Sequence, residues 1–257
     1  MNRFIKDICD KIYSYRKYNQ FQNKTILVTG ANGLIGGFIA DYLNYLNETY
    51  DFNINIILTS LSQEPSRLKH LLGKSNIYYI SADMSIGLEL NEKIDYCFYC
   101  AGYAQPSKFL SNNTKTFFLN TNGLQKTFND IYKINKNAKC IFLSSSEIYS
   151  NNTTDSSHKE SDSINLSLDH KRNSYIFGKL AGEMIVNEFR NLGYNAVSAR
   201  VSLCYGPGHL YDDARVMSDI TRKGMDDQFK NIKLFDDGSA LRRYMHISDF
   251  MIMLLDI

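Results

Sequence analysis

The chain has no apolar run approaching the ~18 residues of a helical membrane span, so no membrane partner is expected. It also has little surplus charge. Its 29 basic and 27 acidic side chains leave a net +2, scattered in sign, and nothing in that balance calls for nucleic acid. Cysteines are few and unpatterned: the five, at 9, 97, 100, 140 and 204, fit no disulfide framework, and a reducing, cytosolic address is expected. Cys97 and Cys100 form a single CxxC in "YCFYC". A strand would point them to opposite faces and there is no second pair, so they are expected to be core thiols, with no metal. Residues 1–22 are not expected to be a secretory leader, because Asp7, Asp10 and Lys11 interrupt any apolar stretch. Internal repeats and extended low-complexity tracts are absent too.

What is there is a globular composition, 44% apolar over 257 residues, enough for one large domain with a smaller appendage. Phe4, Ile5, Ile8, Ile12 and Tyr13 fall at helical spacing, which predicts an amphipathic helix within residues 1–23 that packs on the domain or on a second subunit. Strands and helices then alternate. Strands are predicted at 24–29, 53–59, 76–80, 95–100, 138–144 and 195–200, with helices at 33–46, near 64–72, at 113–134 and at 173–191. Near-continuous apolar strands such as "NINIILT" and "AKCIFLS" suit burial on both faces, so the fold class is α/β, a doubly wound parallel sheet over 24–202. Residues 150–172 are polar and strand-free, and an active-site loop is expected there. From about Gly206 the rhythm lapses until the apolar "ISDFMIMLLDI".

The stretch "ILVTGANGLIGG", 26–37, joins a strand directly to a helix through a GxxGxxG, the context a dinucleotide loop demands. Gly30 would allow the tight turn, Gly33 would admit a pyrophosphate, and Gly36 would let the helix sit close to the sheet. The second strand ends "ILTSLS", without the acid that binds the ribose of NAD. Arg67 either answers the 2′-phosphate of NADP or is a solvated helix charge, so both dinucleotides stay open. Asp83, past the third strand, either takes the adenine amine or makes a local turn.

Tyr175 and Lys179 stand four apart on a predicted helix and share one face, and "LSSSEIYS" closes the strand before them. A phenol with a pKa near ~10 serves as a base at neutral pH only if a nearby cation stabilises the phenolate. A serine hydroxyl then positions a substrate alcohol whose hydride leaves to nicotinamide.

These motifs, with "DYCFYCAG", "NTNG" at 120–123, "YGPG" at 205–208 and "RRYMHISD" at 242–249, resemble the extended short-chain dehydrogenase/reductases of the NAD-dependent epimerase/dehydratase family, from about Lys24 to the end. The resemblance implies a dinucleotide site of Gly30, Asn32, Gly33, Leu34, Ile35 and Gly36, joined by Asp83, Met84, Ala101, Tyr175 and Lys179. It implies Ser145, Glu147, Tyr175 and Lys179 as the catalytic set, with Ser146 on the substrate. It also places Ser146 and Glu147 where dehydrating members carry Asp-Glu, a pattern more like UDP-glucuronate decarboxylases. Arg215 and Arg242 match arginines of that subgroup and would clamp a nucleotide diphosphate or a sugar carboxylate, or else are surface charge. Glu147 either handles substrate or accepts from nearby backbone. His246 reads as a core histidine. Tyr99 replaces the family's usual His, and Leu203 stands where many members place an Asn.

The family continues past the position of Ile257, so 203–257 is expected to be a small, incomplete substrate lobe. The resulting expectation is a cytosolic, homodimeric enzyme using NAD or NADP to oxidise a nucleotide sugar at C4, with decarboxylation possible as a second step. A 4-epimerase, a 4-ketoreductase and a catalytically silent dinucleotide-binding module are the alternatives.

Overall fold

The computed structural model describes residues 2–149, 158–164, 166–169, 171–211, 213–225, 237 and 243–257. A first helix, α1 (Arg3–Tyr15), leads into β1 (Thr25–Thr29), α2 (Leu34–Tyr50), β2 (Asn55–Ser60), β3 (Ile77–Ser81) and β4 (Tyr96–Tyr99). Then come α3 (Pro106–Ser111), α4 (Asn113–Asn120), α5 (Asn122–Ile134), β5 (Lys139–Ser145), α6 (Asn173–Asn191) and β6 (Asn195–Val201). The chain closes with β7 (Leu203–Tyr205), α7 (Val216–Met225), β8 (Tyr244–His246) and α8 (Ile247–Asp256).

Six strands form one parallel sheet in the order β3-β2-β1-β4-β5-β6, the doubly wound arrangement that the alternating pattern predicts. Successive strand residues serve opposite cores. Ile26 and Val28 join α1, α2 and α8 on one face, while Leu27 joins Leu124, Phe128 and Val186 of α5 and α6 on the other. Between β1 and β4 the strand order reverses, the switch point at which open α/β sheets form a crevice at their carboxyl edge.

α1 buries Ile5, Cys9 and Ile12, each worth about 2 kcal/mol when fully taken from water, whereas Phe4 points outward and is 74% exposed. Lys11 pairs with Asp249 at 3.5 Å and Arg16 with Asp256 at 2.9 Å, which fastens α1 to α8. β7 and β8 pair in parallel as a separate two-stranded sheet.

Three expectations change. The helix expected at 113–134 is two, broken at Thr121, because a Cβ on Gly123 would overlap the Met84 carbonyl and the chain bends to make that contact; α3 precedes them unforeseen. The helix expected near 64–72 shrinks to one 3₁₀ turn, Ser66–Leu68. α2 runs on to Tyr50, where Asp51 in the left-handed conformation ends it. Cys97 faces Cys140 across the sheet and all five cysteines are free thiols. Among the described residues no helix is long and apolar enough to cross a membrane.

Candidate active site

The three loop glycines do different work. Gly30 has φ +64°, and a Cβ there would lie 2.6 Å from the Cys100 carbonyl oxygen, so the turn and the β4 exit leave it no side chain. A Cβ on Gly36 would lie 2.7 Å from the Gly30 carbonyl oxygen: the helix presses on its own loop rather than on the sheet. Gly33 alone faces open space, with only the Gly30 oxygen within reach, at 3.3 Å from a Cβ. No side chain caps α2 at Gly33 and no acid sits in its first turn. The N–H groups of Leu34, Ile35 and Gly36, which a helix leaves without internal acceptors, therefore form a positive, uncapped end suited to a pyrophosphate. Asn32 turns away: its side-chain oxygen accepts from the Arg67 N–H at 3.0 Å.

Arg67 is no solvated charge. It is 9% exposed, with its guanidinium donating to Asp41 of α2 and a Cβ on Gly37 or Gly208 coming within about 3 Å of it. Asp41, wholly buried, also meets His70 at 2.6 Å. That internal pair takes Arg67 away from a 2′-phosphate. At the other end of the crevice Asp83 accepts from Ser85 through Oδ1 and from Lys115 through Oδ2 at 2.6 Å. Burial pushes its carboxyl up, but these donors more than offset it and hold it below its ordinary value. Met84 is buried beneath Gly123.

The β4 exit leads toward α6. Thr29 Oγ1 accepts from the N–H groups of Cys100 and Ala101, each at 3.0 Å, and a Cβ on the next residue, Gly102, would stand 3.7 Å from Lys179 Nζ. Tyr175 and Lys179 are both buried on α6, with the Lys179 ammonium 5.8 Å from the Tyr175 ring centre, 4.8 Å from that of Phe142, and donating to the Leu143 carbonyl at 2.6 Å. Ser145, at the tip of β5, stands near enough to the Tyr175 phenol to favour its ionised form, and it accepts from the Glu147 N–H at 3.2 Å. Ser145, Tyr175 and Lys179 thus meet at the carboxyl edge of the sheet.

Burial pushes the Tyr175 phenol up to about 12; Ser145 and the more distant Arg172 and Arg215 pull it back, and Glu147 adds to the rise. Burial pushes Lys179 down to about 8, and Cys100 and Glu183 oppose the fall. Within the chain itself the lysine does not bring the phenol down. Desolvation outweighs the neighbouring cations.

The other expected substrate contacts are distributed unevenly. Ser146 is exposed. Glu147 pairs with Arg172 at 3.0 Å, and Arg172 lies over Phe109, which stacks on Tyr175 at 4.8 Å. Arg215 already holds an internal carboxylate: Nε and Nη2 grip Asp213 at 3.0 and 2.6 Å. Arg242 lies outside the described residues, as does 150–157 of the expected loop. His246 is a cap: its Nδ1 accepts from the Ser248 N–H that opens α8.

Sequence reasoning passed over Arg172, Lys115 and Asn120. Asn120, fully buried, donates to the Thr116 carbonyl, while its Oδ1 is buried without a hydrogen-bond partner among the described residues; a Cβ on Gly102 would stand 3.8 Å from it. A buried orphan acceptor calls for a reason, and this one faces the same point as Lys179. The "NTNG" stretch was its only signal.

A parallel sheet with an uncapped glycine loop at its switch point has the architecture of a dinucleotide-binding fold. A model of the NAD dependent epimerase/dehydratase family matches residues 26–255, and the chain belongs to that family. A dTDP-4-dehydro-6-deoxy-D-allose reductase of Streptomyces bikiniensis is 23% identical over 244 residues, 91% of this chain and 72% of the relative. UDP-glucuronic acid decarboxylase 1 of Arabidopsis thaliana is 24% identical over 227 residues, 88% of this chain and 50% of that protein, so the chain spans half of its length. Among solved structures an epimerase of Methanothermobacter thermautotrophicus superposes with a TM-score of 0.76 at 22% identity, over 98% of this chain and 70% of the other, and shows the same fold.

Proposed function

We propose that the chain oxidises the C4 hydroxyl of a nucleotide sugar, with NAD as hydride acceptor. The observation that carries this reading is the meeting of Ser145, Tyr175 and Lys179 beside a glycine loop whose only open face is at Gly33. Bound NAD supplies a hydride acceptor and a fixed positive ring. Gly33 and the N–H groups of Leu34, Ile35 and Gly36 would hold its pyrophosphate, Asp83 the adenine amine, and Lys179 the nicotinamide ribose. Tyr175 takes the C4 hydroxyl proton while the Ser145 hydroxyl orients that oxygen. Bringing the phenol from about 12 to neutrality needs ~5 units, on the order of 7 kcal/mol, so the site works only with its cations closed on the phenolate and water excluded.

Decarboxylation is the second step we favour, with 4-epimerisation and 4-keto reduction as rivals. It needs a cation for the sugar carboxylate, and Arg172 and Arg215 stand near Tyr175, although each must share itself with Glu147 or Asp213. A silent dinucleotide-binding module is disfavoured by buried Ser145 and Tyr175 beside Lys179, a set that dinucleotide binding alone does not require. A cytosolic homodimer is the setting we assign, on the free thiols and on exposed Phe117, Phe118 and Met184 along α4 and α6. The purified protein, incubated with NAD and a panel of UDP- and dTDP-sugars, or with NADH and a 4-keto nucleotide sugar, should convert at least one; mass spectrometry reads loss of CO₂ and addition of two hydrogens, and chromatography against standards reads inversion. No conversion across the panel defeats the enzymatic reading.

A further inference from the structure

Behind the catalytic cluster lies a buried ionic network that touches none of the reacting atoms. Glu183 stands one turn after Lys179 on α6 and is 9% exposed. Its Oε1 accepts from the Ser144 hydroxyl and from Arg200 Nε at 3.0 Å, and its Oε2 from Arg200 Nη2 at 2.8 Å. Ser144 adjoins Ser145 on β5 and lies opposite Arg200 in the sheet register. The remaining arm of the guanidinium, Nη1, donates to the Tyr149 phenol and to the Glu160 carbonyl at 3.1 Å. Tyr149 donates in turn to the Lys159 carbonyl at 3.2 Å and stacks on His158 at 4.7 Å.

One guanidinium therefore joins α6, β6, the 146–149 turn and the 158–164 segment. Its planar fork satisfies two carboxylate oxygens on one edge and a phenol plus a main-chain carbonyl on the other, which a lysine's single nitrogen cannot do. The carboxylate it grips is one helical turn from Lys179 and bonds the neighbour of Ser145.

We propose that Arg200 and Glu183 are positioning residues: they fasten the 158–164 segment to the Lys179 helix and hold the Ser145 strand tip in register with it. The proposal rests on the reading of Ser145, Tyr175 and Lys179 as catalytic residues. It predicts that loosening the fastening slows the chemical step without weakening the hold on dinucleotide or sugar.

The test uses the full chain as wild type, Arg200→Lys and Tyr149→Phe, with three measurements: hydrogen–deuterium exchange of peptides covering 158–164, NAD affinity by calorimetry, and kcat and KM on whichever nucleotide sugar the wild type converts. Both variants should raise exchange in 158–164 at least tenfold, leave NAD affinity and KM within threefold, and lower kcat at least tenfold, Arg200→Lys more than Tyr149→Phe. Unchanged exchange in 158–164 overturns the fastening. Faster exchange with unchanged kcat, or a loss carried by KM, overturns the positioning role. Should Arg200→Lys fail to fold, Tyr149→Phe, which keeps the ion pair and removes only the phenol, decides alone. A wild type that converts no sugar defeats the functional reading instead, and the exchange measurement still judges the fastening.

Discussion

Lys179 gives its ammonium to the Leu143 carbonyl oxygen at 2.6 Å and sits 5.8 Å from the centre of the Tyr175 ring, so one buried cation ties the fifth strand to the phenol. Its cost is visible in stability. Folding lowers the lysine from 10.5 to about 8, chiefly by burial, so between these values the unfolded chain binds more protons and stability rises with pH. The contribution is fully present above about 10.5 and lost as pH falls through 8. In Lys179→Met this rise disappears, and the gap in unfolding free energy between variant and wild type should narrow by on the order of 3 kcal/mol from pH 7.5 to 10.5. Urea melts at several pH values measure it; parallel pH curves for the two proteins would refute the burial argument.

Tyr175→Phe should reduce turnover at least a thousandfold while NAD affinity stays within threefold, because the phenol is assigned the proton transfer and not the cofactor's weight. The Phe109 stack survives the change, so the fold should too. Turnover near the wild-type rate removes Tyr175 from the mechanism.

Gly33→Val and Gly36→Val separate ligand space from packing space. The first should abolish dinucleotide binding with little loss of thermal stability, since only the Gly30 oxygen lies near the added atoms. The second should lower the melting temperature, because its Cβ meets loop backbone at 2.7 Å. Normal NAD affinity in Gly33→Val means that the loop is merely a tight turn.

NAD should bind at least tenfold more tightly than NADP. Arg67 is committed to Asp41 inside the protein, and a 2′-phosphate at the end of β2 would face Thr59 and Ser60, of which Ser60 already bonds Tyr79 at 2.6 Å. Calorimetry with both dinucleotides decides it, and equal affinities would show that Arg67 leaves its partner.

The sheet was legible because its strands are apolar runs at regular spacing, and the Tyr175–Lys179 face because four residues are one helical turn. What escaped was set by contacts between distant positions. The break at Thr121 answers to the Met84 carbonyl under Gly123, 39 positions away, and no local period carries that information. Arg67 looks like any polar turn residue until Asp41, in the middle of α2, is seen to face it. Arg172 and Asn120 were equally silent: one gains its place from Glu147 and Phe109, the other from a helix end that periodicity alone would have run through.

The pairing of α1 with α8 gives this fold an order of assembly. Arg16 and Asp256 are 240 positions apart, and the stripe of Ile5, Cys9 and Ile12 shares its core with Phe250, Met251 and Leu254. Synthesis makes α1 well before α8, so until α8 emerges the first helix lacks one of the surfaces it shares a core with and keeps part of its apolar face wet. Closure must wait for residues 247–256 and carries the loop entropy of that long interval. Nascent chains halted before residue 247 would therefore present a sticky α1, the form in which a chaperone or a protease would meet this protein.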